Sequence, residues 1–261
     1  MSELVQYKTV EGVAVLTLQN PPANAYSYDM MEQLDRSILE ARMDESVHVI
    51  VVTGAGDKFF CAGADIAMLA DVTPTFKYNF CLHANETLSR LEQTPKLVIA
   101  AINGHCVGGG LEVAMAADIR VAREGGGKMG LPEVHLGVLP GTGGTQRLAR
   151  MIGKSKAIEL MATGANFDFE AASELGLVNE VLPADDFMGQ VMAYAKKFCP
   201  PGRASHAVGL IKRSVQSGLE MSFQEGLSLE RELQQQLFMS ADAKEGIGAY
   251  NEKRKPVFKG N

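Results

Sequence analysis

The chain has 261 residues, 46% of them hydrophobic, a formal net charge of −6 and four cysteines. That is enough to pack a soluble globule, as one large domain or a domain with a smaller appendage. Acidic and basic residues interleave without a long basic run, which argues against a nucleic-acid partner, and no apolar run approaches the ~18 residues of a membrane span.

The opening Met1-Ser2-Glu3-Leu4-Val5 has neither the apolar core of a signal peptide nor an Arg/Ser-rich transit character, so the expectation is a cytoplasmic protein, or a mature form whose presequence is missing. Alternation over Ala14–Leu18 predicts a strand, and Asp29–Met43 follows as an amphipathic helix with Met30, Met31, Leu34, Ile38 and Leu39 on one side. A second strand falls at Val47–Val52, a helix at Thr75–Leu91 ahead of the break at Pro95, and a third strand at Leu97–Ala101. The alternation up to about Val181 predicts an α/β core, in which turns leaving strands are the usual ligand sites. From Asp185 strand signals vanish, and helices are expected over Asp185–Phe198, Arg203–Ser217, Ser222–Met239 and Ala241–Glu252. The predicted division is therefore a core over 1–184 and a helical region over 185–261 whose apolar stripes pack against another subunit. Cys61, Cys81, Cys106 and Cys199 lack metal-ligand spacing and read as reduced thiols.

Three segments carry chemistry. Phe60-Cys61-Ala62-Gly63-Ala64-Asp65-Ile66 and Gly108-Gly109-Gly110-Leu111-Glu112 each follow a predicted strand, and their small residues let a ligand approach main-chain N–H groups closely. Two such groups converging on one oxygen make an oxyanion hole. The plainer alternative for the glycines is tight packing of a helix on the sheet. Glu133, in the locally apolar Met129-Gly130-Leu131-Pro132-Glu133-Val134, is a candidate acid or base with a raised pKa, or else a carboxylate placed at a helix start. Gly153-Lys154-Ser155 lacks the first glycine of a phosphate loop, and neighbouring His105 and Cys106 should point apart, which disfavours a Cys/His nucleophile. Gly125-Gly126-Gly127 is expected to loosen its loop.

These segments, with Pro140-Gly141-Thr142-Gly143-Gly144-Thr145-Gln146-Arg147-Leu148, Gly153-Lys154-Ser155-Lys156-Ala157 and the ending Glu252-Lys253-Arg254-Lys255-Pro256-Val257-Phe258, resemble the crotonase (enoyl-CoA hydratase/isomerase) superfamily over nearly the whole chain. The resemblance implies a crotonase-like spiral of ββα units with a C-terminal helical trimerisation region, a homohexamer built as a dimer of trimers, and acyl-CoA thioester substrates of fatty acid metabolism. It places the oxyanion hole at the N–H groups of Ala64 and Gly109 and the catalytic carboxyls at Glu112 and Glu133. Ala62, Asp65, Ile66, Gly108 and Gly141 would border the substrate. Having both glutamates favours hydration of 2-enoyl-CoA over isomerisation or another enolate-forming reaction, and no cofactor is implied beyond the coenzyme A of the substrate. A non-catalytic RNA-binding relative would show a basic helix, whereas the first helix here carries Glu32, Asp35 and Glu40. Asn24-Ala25-Tyr26-Ser27 and Ala67 depart from the family's lysine-bearing pattern, leaving Lys253, Arg254 and Lys255 as candidate phosphate contacts.

Overall fold

In the computed structural model, which describes residues 2–261, the chain winds through repeated strand–strand–helix units. β1 (Val5–Val10), β2 (Val13–Leu18) and α1 (Tyr28–Met43) make the first unit. The second comprises β3 (Val49–Gly54), β4 (Phe59–Cys61), α2 (Ile66–Ala70) and α3 (Pro74–Gln93). β5 (Leu97–Ile102), β6 (His105–Val107) and α4 (Gly109–Met115) form the third. The fourth has β7 (Ile119–Arg123), β8 (Lys128–Gly130), a 3-10 turn over Glu133–Leu136, α5 (Gly144–Ile152) and α6 (Lys154–Thr163). β9 (Asn166–Asp168), α7 (Phe169–Glu174) and β10 (Glu180–Leu182) close the series, and α8 (Phe187–Lys196), α9 (Ser205–Gly218), α10 (Phe223–Phe238) and α11 (Ala241–Asn251) follow.

The antiparallel pair β1–β2 starts a six-stranded sheet in the order β1-β2-β3-β5-β7-β10, parallel from β2 onward. The second strands of the later units build a smaller sheet, β4-β6-β8-β9. Strands β3 and β5 are buried along their whole length, as a parallel sheet covered on both faces requires. Successive side chains part to opposite faces: Ile50 and Val52 enter the core shared with α1, α3 and α4, while Val49 and Val51 join Phe187, Val191 and Ala195 of α8.

The spiral and the C-terminal helices agree with the expected fold, and the predicted helices lie within a few residues of the observed ones. Of the four C-terminal helices, α8 covers the back of the six-stranded sheet of its own chain. α9 is tied down by buried Lys212, whose ammonium pairs with Asp118 at 2.9 Å and donates to the carbonyls of Leu91 and Lys96 at 3.3 and 3.1 Å. Val215, Leu219, Phe223 and Phe238 of the α9–α10 hairpin region stay exposed. Gly125-Gly126-Gly127 forms a defined turn, in which the Gly126 N–H donates to the Arg123 carbonyl at 2.9 Å and a Cβ on Gly127 would come 2.7 Å from His105 N. Among the described residues no helix is long and apolar enough to cross a membrane.

Candidate active site

Strands β4, β6 and β8 are neighbours in the smaller sheet and run parallel, with Cys61 opposite Cys106 and Cys106 opposite Met129. The three motif segments leave the carboxyl ends of these strands, so distant stretches of sequence emerge side by side. A Cβ built on Gly63 would come 3.0 Å from Gly109 N, and one on Gly108 would come 3.0 Å from Glu133 Oε1. All three turns therefore meet around Gly108 and Gly109.

Hydrogen bonding fixes the two amide-bearing turns. Tyr26 N–H donates to the Gly63 carbonyl at 2.8 Å and the Asp65 N–H donates back to the Tyr26 carbonyl at 3.0 Å, leaving the intervening Ala64 N–H outside the pair. Gly108 takes φ +56°, donates to the Gly130 carbonyl at 2.8 Å and accepts from the N–H groups of Leu111 and Glu112. Gly109 opens α4, so its N–H has no carbonyl of an earlier turn to meet. A Cβ on Gly110 would collide with the Cys61 carbonyl, so that residue serves packing, while Gly108 shapes the turn.

Glu112, on the first turn of α4, is 2% exposed, and its Oε1 accepts the N–H groups of Thr142 and Gly144, each at 2.7 Å. Burial pushes its pKa up, opposed by those two N–H bonds and by the positive charge of Arg147. Arg147 is itself clamped by Glu92 through bonds of 2.6 and 2.7 Å and donates to the Thr142 carbonyl at 3.0 Å. Glu133 starts the 3-10 turn after Pro132, and its buried Oε2 has no hydrogen-bond partner. Burial raises its pKa to about 7, with repulsion from Glu112 adding to the rise and Lys77 opposing it. Glu133 thus stands at a helical start with its carboxyl shifted towards neutrality.

The remaining predicted residues fall into different settings. The Ala62 N–H is bound to the Ala23 carbonyl at 3.0 Å, and the Asp65 carboxylate caps α2 through the N–H groups of Ala67 and Met68. Ile66 is exposed beside them. Gly141 precedes Thr142 in the loop behind Glu112, and its carbonyl accepts Asn85 Nδ2 at 3.3 Å. His105 and Cys106 do point apart: His105 Nδ1 accepts the Lys128 N–H at 3.1 Å, while the Cys106 thiol is buried with its pKa held well above the ordinary value by desolvation. Arg254 pairs with Glu245 and Glu252 at 2.6 Å each. Sequence reasoning did not single out Tyr26, Thr142, Gly144 or Arg147 as parts of the site. The glycine-flanked Thr142 was the available signal.

This chain belongs to the enoyl-CoA hydratase/isomerase family: the family model of that description matches residues 8–261. A short-chain-enoyl-CoA hydratase of Clostridium acetobutylicum is 38% identical over 244 residues, covering 93% of this chain and 92% of the relative. A crotonyl-CoA hydratase of Syntrophomonas wolfei is 35% identical over 249 residues, covering 95% of each chain. Among solved structures, an enoyl-CoA hydratase from Geobacillus kaustophilus HTA426 superposes with a TM-score of 0.97 at 42% identity, covering 100% of this chain and 98% of that one.

Proposed function

We propose that the protein adds water to 2-enoyl-CoA thioesters, giving 3-hydroxyacyl-CoA. One observation carries this reading: the buried carboxyl of Glu112 and the partly buried one of Glu133, in different hydrogen-bonding environments, lie beside the turns that hold the Ala64 and Gly109 amides. The relatives' names support the substrate class.

In this mechanism the thioester oxygen accepts hydrogen bonds from the Ala64 and Gly109 N–H groups, next to Ala62, Asp65, Ile66 and Gly108. Gly141 backs the far side. Glu112, whose ionised form its two N–H donors favour against burial, takes a proton from water as the water oxygen bonds to C3. The C2=C3 electrons move towards the thioester oxygen, where the amides stabilise the developing charge; a single donor of this kind is worth about 2.7–4 kcal/mol in other enzymes. As the enolate collapses, C2 takes the proton of Glu133, whose pKa near 7 suits an acid at neutral pH. Proton exchange with solvent then resets the pair. Water and the two glutamates supply every proton, so the proposal includes no resident cofactor.

The deciding experiment runs crotonyl-CoA in heavy-oxygen water and weighs the product. Incorporation of one labelled oxygen is expected. An isomerised product without label, or no turnover across a panel of enoyl-CoA chain lengths, overturns the reading. The exposed apolar side chains of α9–α10, with Leu219 80% and Phe223 76% exposed, support association of copies as a dimer of trimers. Sedimentation at micromolar concentration should find six subunits, and a monomer would refute that part.

A further inference from the structure

We propose that Tyr26 is a positioning residue that holds Glu112 and both amide-bearing turns in register. Three of its contacts converge there. Its main chain bonds on either side of Ala64, to the Gly63 carbonyl and from the Asp65 N–H, at 2.8 and 3.0 Å. Its ring lies under the start of α4, so that a Cβ on Gly109 would come 2.6 Å from Tyr26 Cζ. Its hydroxyl sits 3.1 Å from Thr142 Oγ1, and the N–H of the same threonine donates to Glu112 Oε1 at 2.7 Å.

Tyr26 and Thr142 are 3% and 4% exposed, so water does not compete with the bond between them. Burial, followed by the charge of Glu112, holds the Tyr26 pKa well above its ordinary value. The phenol stays protonated at working pH; either hydroxyl of the pair could donate, and we take Tyr26 as the donor and Thr142 Oγ1 as the acceptor. The Thr142 side chain also favours the ionised form of Glu112. The sequence of dipoles, Tyr26 to Thr142 to Glu112, thus points towards the carboxylate that activates water. Arg147 from α5 and Glu133 from the 3-10 turn also face Glu112, while Cys61 from β4 and Cys81 from α3 face the phenol. A phenylalanine would fill the same volume and keep the ring contact to Phe80, whose centroid lies 5.9 Å away. It would lack only the hydroxyl.

This inference rests on Glu112 being one of the two working carboxyls, and its test separates the two claims. The Glu112 side-chain carboxyl is titrated by 13C NMR in the full-length protein, in wild type, Tyr26→Phe, Thr142→Val and the double variant, with Glu112→Gln assigning the signal. The expected result is a Glu112 midpoint raised by about half a pH unit in each single variant, because a hydrogen-bond chain supporting the ionised form is lost. In crotonyl-CoA hydration the acid limb should move the same way, kcat should fall about tenfold and KM should stay within about twofold, as misplacement of a catalytic group predicts. The double variant should be no worse than either single one. An unmoved midpoint in Tyr26→Phe, or losses that multiply in the double variant, would overturn the proposal. Should Tyr26→Phe fail to fold, Thr142→Val reads the same chain from its other end. A wild type that does not turn over crotonyl-CoA defeats the hydratase reading alone, since the carboxyl titration still decides the role of Tyr26.

Discussion

Glu112 and Glu133 approach the same glycine turn from two regions built in opposite ways. Glu112 rides a helix pressed flat against β4 and has one oxygen fastened by two main-chain donors from the Thr142–Gly144 loop. Glu133 projects from a single 3-10 turn that ends in a left-handed glycine, Gly137 at φ +72°, with one oxygen buried and unpartnered. The contrast teaches how two identical side chains come to differ: burial raises the pKa of both, but main-chain donors aimed at Glu112 oppose the rise, while burial and the charge of Glu112 carry Glu133 to about 7.

The largest test removes the charges. Glu112→Gln and Glu133→Gln each keep shape and should lower kcat by about 10²–10⁴-fold, the usual worth of a positioned acid or base. Steady-state hydration assays check this, and full activity in either variant breaks the comparison. A smaller loss is expected when the fastening of Glu112 alone is disturbed. A Cβ on Gly144 would stand 2.9 Å from Glu112 Oε1 and 2.7 Å from Pro140 Cβ, so Gly144→Ala should cost about 10–100-fold in kcat as the carboxylate is displaced.

The next effect is on stability. The Glu133 pKa in the folded protein, about 7, lies above its ordinary value of 4.5, so the folded state binds the proton more tightly. Its contribution to stability is intact below the ordinary value and is lost as pH rises through about 7. Glu133→Gln escapes that loss. After allowing for partial solvent screening, it should gain on wild type by about 1–2 kcal/mol between about pH 5 and pH 8 in urea titrations. A gain that runs the other way with pH would reverse the assignment of Glu133 as the proton holder. Smallest of all is Gly137→Ala, where a Cβ meets nothing within 4 Å and only the left-handed backbone resists. It should cost about 1 kcal/mol in thermal unfolding with little change in KM.

Much of this site was readable because its parts are main-chain turns. Glycines after apolar strands announce where a ligand can approach backbone, and Glu112 falls on the helix that such a turn opens. The long strands and amphipathic helices were legible for the same local reason. What escaped was set by contacts distant in sequence. β7 is interrupted by Arg120, which is tolerated in the interior because it donates to the carbonyls of Leu177 and Ala117 at 2.6 and 2.7 Å. The strands of the smaller sheet span only three residues each, too short for a period of two to declare itself. Nothing local marks Tyr26, and only folding sets it beneath Gly109 and within reach of Thr142, a partner 116 positions along the chain. Asp65 lies in the loop that the resemblance places beside the substrate, and its carboxylate caps the helix that follows.

The ion pair between Lys212 and Asp118 links places that otherwise share little. Asp118 lies three positions beyond the end of the helix that carries Glu112, and it also receives Gln216 of α9 at 3.1 Å and the amide of Val98 at 2.7 Å. Separating two charges so deeply enclosed typically costs about 3–5 kcal/mol. α9 therefore anchors the chain just past the helix that carries Glu112, tying a C-terminal element to the end of a helix in the core.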